Sequence, residues 1–461
     1  HRYTTEVYTH LVLLAEANGL PLAPHVRPTL ARLYEHLLHL ARPDGTIPLL
    51  GDDDGGRLVQ LDGGRPHEVR GLLAIGAAVL DRPELAHAAG DDLAALGWLL
   101  GADGLRRFDA LDPRPPAATS RAFPDGGLYV FRDGWTRDAR WGVIDCGPHG
   151  AMNCGHAHAD ALALEIAAGG RPLLVDAGTY TYPGPERNAF RASAAHNTVT
   201  LDGRSSSEPA TPFQWRRIAT CRTEAWHADA SVDYFAGAHG GFGDPADPAP
   251  HRREVLFVRD GYWVVRDQVA ARGRHEVCLH WRCAPGLQAR LTAADTWDVA
   301  DAHGTLALRI GVITDGGEAT VEHDWVSPIY GRREPADLCI LRRQGEGAQE
   351  LVTMLLPAIQ GRVAPTRALA VAGGRGVAVA RASGEDWVLL GDGGALTCDD
   401  VRTDARWLWL RRDGSGRVVE WAAVGAVRAA VGEDELLAAG ERRPWTAGRP
   451  PAVVNPEMGV G

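Results

Sequence analysis

No apolar run in the chain approaches the roughly 18–20 residues that a membrane helix needs; the stretch 71–80 is among the longest. A helical membrane span is therefore not expected. Basic charge is in short supply, with 48 Lys and Arg against 59 Asp and Glu and a formal net charge of −11. That balance argues against non-specific nucleic-acid binding, which needs a basic face. A polyanionic partner would require a local basic patch, and Arg187, Arg191, Arg204, Arg216 and Arg217 could supply one. A solvated surface is the competing reading. Cysteine is sparse and odd in number, at seven, with no Cys-x-x-Cys pair. This fits buried thiols or a reduced compartment better than a disulfide-built domain. It tilts towards cytoplasm without excluding a bacterial periplasmic or secreted protein, and oligomeric state stays open. No internal repeat is visible. The acidic segment Gly51-Asp-Asp-Asp-Gly-Gly56 lacks the alternating acids of a calcium loop, so it reads as a plain loop, with a substrate-facing role as the lesser alternative.

At 461 residues and 45% apolar, the chain can bury more than one core, and two domains are expected. Helical spacing of apolar residues predicts helices over 5–18, 29–41, 68–80 and 84–100. Successive helix pairs suggest part of an α-solenoid or α/α toroid over 1–111. The pattern already runs at His1, which is not Met, so the expected natural N-terminus lies upstream, together with any leader. Residues 112–120, beginning Asp112-Pro-Arg-Pro-Pro116, read as a stiff linker. Beyond it, over 121–440, short strands separated by turn signals take over, for example 128–131, 141–145, 161–166, 254–258, 262–267 and 407–411. Strands without interleaved helices predict an antiparallel β-sandwich or barrel. The Pro/Gly-rich segment 441–461 reads as a surface tail. The fold class expected is thus multidomain α+β.

The chemistry concentrates between residues 156 and 197. His156-Ala-His158-Ala-Asp160 precedes an apolar run; Leu173-Leu-Val-Asp176-Ala-Gly178 ends one; His196-Asn197 opens another. Imidazole and carboxylate are the ligand set of zinc and of non-haem iron. A carboxylate at a buried strand end is costly unless paired or metal-bound. In extended backbone His156 and His158 face the same side, so one can ligate while the other stays free for proton transfer. Hydrogen-bonded strand-end residues without a metal are the plainer alternative.

These motifs resemble the heparinase II/III-like polysaccharide lyases, a set that also takes in alginate-type lyases. The matching residues are His156-Ala-His158-Ala-Asp160, Val175-Asp176-Ala-Gly178-Thr-Tyr180, Arg187 with Arg191, His196-Asn197-Thr-Val, His251-Arg-Arg253-Glu-Val and Trp263-Val-Val-Arg-Asp267. They occur in order over roughly 120–270. The resemblance implies a partial N-terminal α/α toroid, a C-terminal antiparallel β-sandwich, and β-elimination on an acidic, uronate-containing polysaccharide. It implies zinc held by His158, Asp176 and His196, with His156 beside the metal and facing substrate, for proton transfer or for neutralising the uronate carboxylate. Arg187, Arg191, Tyr180 and His239 are the expected substrate contacts, with Asp160 and Asn197 as supports. Tyr180 and Tyr182 follow the metal-type carboxylate and line the cleft or, on the competing reading, pack in the core. The family's catalytic tyrosine lies in a Tyr-His-Arg-like context, whereas this chain begins His1-Arg2-Tyr3; that tyrosine is expected upstream, with Tyr3 the one in hand. Two other readings compete: a cupin-like metal-dependent oxygenase, and a carbohydrate-binding or surface-polysaccharide assembly protein without the chemistry. The cupin reading suffers from Glu165, which lies seven residues past His158 where about four or five are needed.

Overall fold

The computed structural model describes residues 1–61, 63–438 and 440–449. The chain is mostly β, with five helices at its start: α1 (Arg2–Ala17), α2 (Val26–Leu40), α3 (Arg70–Leu80), α4 (Pro83–Ala89) and α5 (Ala94–Asp109). The helix expected over 84–100 is two elements. Gly90 takes a positive φ of 58° at the end of α4, which an L residue adopts only with strain, and the chain restarts as α5.

The helices do not form a body of their own. Leu30, Leu37, Leu73 and Ala77 share one core with Val130, Trp141, Val143 and Ala167 of the first sheet. That sheet has five antiparallel strands in sequence order, Arg121–Phe123, Leu128–Arg132, Trp141–Asp145, Leu164–Ala168 and Arg171–Leu174. Polar links reinforce the packing: Trp141 Nε1 donates to the His39 carbonyl at 3.1 Å, and Arg42 pairs with the buried Glu165. Burial pushes the Glu165 carboxyl up to about 7 against the pull of Arg42.

Three further antiparallel sheets, of eight, four and two strands, complete this unit, which comprises 1–311 and 316–361. The four-stranded sheet contains the long hairpin of Glu318–Ile329 and Arg332–Glu346. A second compact unit comprises 312–315 and the described residues from 362 to 449, with six- and four-stranded sheets around Trp387, Leu389, Leu408, Leu410 and Trp421. The division therefore falls near 361 rather than at 112–120, because the helices bury their apolar faces on the first sheet. The expected tail is also partly ordered: Arg443–Gly448 pairs with Val418–Ala426. Residues 450–461 lie outside the described set. All seven cysteines are free thiols, five of them buried. No described helix is long and apolar enough to cross a membrane.

Candidate active site

The strand Arg171–Leu174 ends two residues before Asp176, and the chain turns at Gly178. Gly178 has a φ of +71°, and a Cβ there would collide with the Ser327 carbonyl, so only glycine fits. Its N–H donates to Asp176 Oδ1 at 2.8 Å. His196 follows a single 3₁₀ turn, Ser193–Ala195, and sets its Nδ1 2.6 Å from Asp176 Oδ2. The His158 and His196 rings lie 5.3 Å apart. One ligand atom from each of His158, Asp176 and His196 lies within 4.8 Å of the others, and all three residues are buried.

Burial opposes charge on Asp176 and His196, but their mutual attraction prevails: the acid is held below its ordinary range and the imidazole above. His158 Nδ1 and His196 Nε2 are buried with no hydrogen-bond partner among the described residues. An orphaned buried nitrogen costs about 1–3 kcal/mol. Two of them beside a buried carboxylate match the donor set that zinc or iron takes, so the residues fit a metal.

The carboxylate that orders the exposed imidazole comes from the acidic loop. The Asp52 side chain is fully buried; Oδ2 lies 3.0 Å from His156 Nδ1 and Oδ1 lies 2.9 Å from His158 Nε2. Thr179 Oγ1 donates to Oδ1 at 3.2 Å, and the Arg187 guanidinium clamps both oxygens, with Nη2 2.6 Å from Oδ2. Burial pushes the Asp52 acid up, but the bonds from His158 and Arg187 outweigh it and hold the carboxyl well below the usual range. An ionised Asp52 accepts from both rings. That network assigns Nδ1–H to His156, leaving its Nε2 lone pair free, and Nε2–H to His158, leaving its Nδ1 free to ligate.

The loop reaches this position by close backbone approach. Asp52 N–H donates to the His156 carbonyl at 2.9 Å, and Gly51, with φ +57°, leaves only 2.7 Å between a hypothetical Cβ and that oxygen. His67 holds the other side, with Nδ1 3.3 Å from Asp53 and Nε2 2.7 Å from the Pro328 carbonyl. The His156 side chain is 72% exposed and faces a cavity of about 470 Å³, lined also by Tyr3 of α1, Asp52, Asp54, His67 and Tyr182.

The other expected residues divide. Tyr3 is half exposed on the cavity wall. Tyr180 is half-buried against Phe190, with ring centroids 5.7 Å apart. Arg187 is buried and committed to Asp52 rather than open to substrate. Arg191 is buried too, bonding Asn188 Oδ1 and the Thr211 and Pro212 carbonyls. His239 faces no cleft: it is 3% exposed and lies 3.2 Å from His251, inside a cluster completed by Asp267 and Arg253. Asp160 hydrogen-bonds no ring of the site; Asp52 and Asp176 do that, while Asp160 lies near the buried Asp145 and helps suppress its ionisation. Asn197 joins strands, donating to the Val175 carbonyl at 3.1 Å and accepting from the Arg282 N–H at 2.6 Å. Asp52 and Thr179 escape sequence reading. The available signal for Asp52 was three consecutive acids flanked by glycines, a pattern that asks for a cationic partner.

Comparison with known proteins places this geometry. Residues 115–354, just over half of the chain, match the family described as heparinase II/III-like, C-terminal, and the chain belongs to that family. A heparin-sulfate lyase of Pedobacter heparinus is 28% identical over 180 residues, and one of Bacteroides stercoris 24% over 257. These matches cover 38% and 54% of this chain but only 25% and 36% of those relatives. The crystal structure of a heparan sulfate lyase from Pedobacter heparinus shares the fold, with a TM-score of 0.62 at 18% identity over 83% of this chain and 55% of its own. A heparinase III gene product gives 0.63 at 19% identity, covering 89% and 56%. Membership of this family leaves the cupin-like reading without support.

Proposed function

We propose that the protein is a polysaccharide lyase that cleaves an acidic, uronate-containing polysaccharide by β-elimination. One observation carries the reading: His156 is a solvent-facing imidazole, fixed by a buried carboxylate, directly in front of a three-residue metal-type cluster. The relatives' names point to a heparan-type glycosaminoglycan as substrate. On the same reading, the five helices are part of an α/α toroid and the sheets that follow are the family's antiparallel β-sandwich.

The reaction removes a proton from the carbon beside the uronate carboxylate and expels the glycosidic oxygen on the neighbouring carbon. A carbon acid of this kind needs its developing negative charge stabilised and a base at hydrogen-bond reach. His156 Nε2 takes the proton, and Asp52 stabilises the imidazolium that results through Nδ1–H. Tyr3 and Tyr182 line the same cavity, and a tyrosine hydroxyl there would protonate the departing oxygen; the Tyr182 hydroxyl is tied to Asp54 at 3.1 Å, which favours Tyr3 as the donor. His158, Asp176 and His196 would hold zinc, which when bound supplies a fixed positive charge behind His156 and braces two strand ends. Arg187 sets the position of Asp52.

The test is to incubate the protein with heparan sulfate and with alginate and to follow the ultraviolet absorbance of the unsaturated uronate. His156→Ala should lower kcat by about 10²- to 10⁴-fold. Failure of the parent to make unsaturated product from any uronate polymer would overturn the reading.

A further inference from the structure

Beyond the cavity wall, three aromatic rings from three separate segments form a cluster, two of whose members reach His156. Tyr182 follows Thr181, Phe213 sits in the turn between Glu208–Thr211 and Gln214–Arg217, and Tyr330 sits at the tip of the long hairpin. The Tyr182 ring lies 5.5 Å from Phe213 and 5.0 Å from Tyr330, and His156 lies 6.1 Å from Tyr182 and 5.9 Å from Phe213. Phe213 and Tyr330 are each 40% exposed. Packing does not explain rings left so open to water.

The rings are held in place rather than loosely exposed. The Tyr182 N–H donates to the Tyr330 hydroxyl at 3.2 Å, and the Tyr182 hydroxyl donates to Asp54. Beneath Phe213, the Pro212 carbonyl accepts from both Arg187 and Arg191, at 3.2 and 2.9 Å. The Arg187 guanidinium also lies 5.3 and 5.6 Å from the Tyr182 and Phe213 rings. Thus the arginine that clamps Asp52 also fixes the aromatic turn, so the rings and His156 are built as one unit.

We propose that Phe213, Tyr182 and Tyr330 form a cradle for a pyranose ring of the substrate chain, next to the sugar that faces His156. This rests on the lyase reading. A pyranose presents C–H bonds on its faces and polar groups at its rim. Aromatic faces carry partial negative charge that attracts those C–H groups, and a rigid ring loses little entropy on binding. Further along the same hairpin, the exposed Arg333 lies 4.5 Å from the Trp325 ring and 5.2 Å from the Tyr180 ring.

The test is calorimetric binding of a heparan sulfate tetrasaccharide to His156→Ala protein, in which turnover is slow, with Phe213→Ala, Phe213→Trp and Tyr330→Ala added to that background. Turnover of the same probe is measured in parallel with His156 intact. Each alanine should weaken Kd by about tenfold and raise KM with kcat little changed, while Phe213→Trp should bind like its parent. Thermal melts check that each variant folds. Binding that depends on the rings without any unsaturated product would retain the cradle and sink the lyase reading. Turnover with binding indifferent to both alanines, or no binding by the parent at all, would overturn the cradle.

Discussion

At the residue scale, Asp52 is the group on which the site turns. One carboxylate accepts from His156 and His158, so it sets the proton position on the ring proposed for catalysis and on a ring proposed for ligation. Replacing it with Asn keeps the shape but offers an N–H to one ring, which must then present the wrong nitrogen. Asp52→Asn should lower kcat by about 10–100-fold and lower metal content as well. Steady-state kinetics with elemental analysis on one preparation checks both. Unchanged kinetics would show that the carboxylate only packs. The residues His156, His158, Asp176 and His196 were legible because imidazole and carboxylate cluster at apolar segment ends. Asp52 was not, since it lies 104 residues from His156 and nothing local shows which imidazole it will meet.

At the element scale, the loop 51–56 joins the helical start of the chain to the β-sheets, and it does so through backbone contact that tolerates no Cβ. Gly51→Ala should destabilise the protein by about 1–3 kcal/mol and disturb Asp52, so activity should fall even at temperatures where the protein stays folded. Urea unfolding and a rate measurement read the two effects separately. Periodicity located most helices, since Leu30, Leu37 and their neighbours mark one face, and it located apolar strands such as Trp141–Asp145. It missed strands whose exposed faces are charged, such as Arg332–Glu346, and it placed the boundary at a proline-rich segment because it could not show that the helices bury themselves on the first sheet.

At the scale of the whole molecule, several histidines are buried in a neutral state. Burial pushes His280 down to about 3, with Arg282 and Arg342 adding to the shift. Burial likewise drives His239 well below its ordinary value, with His251 adding to it, and lowers His251 itself. In the unfolded chain these rings take a proton near pH 6.5. Below that pH the unfolded state binds more protons than the folded state, so stability falls as pH falls. For His280 the loss runs from about pH 6.5 down to about 3, at roughly 1.4 kcal/mol per pH unit. Urea midpoints at pH 7 and pH 5 should show that decline, and His280→Gln should make it shallower. A midpoint that stays flat or rises on acidification would contradict the assignment.

The most direct measurement is the metal content of the purified protein by elemental analysis, with His158→Ala as the control. His158, Asp176 and His196 should hold about one zinc per chain, and His158→Ala should lose it while remaining folded. A folded, active protein free of metal would contradict the site as built here.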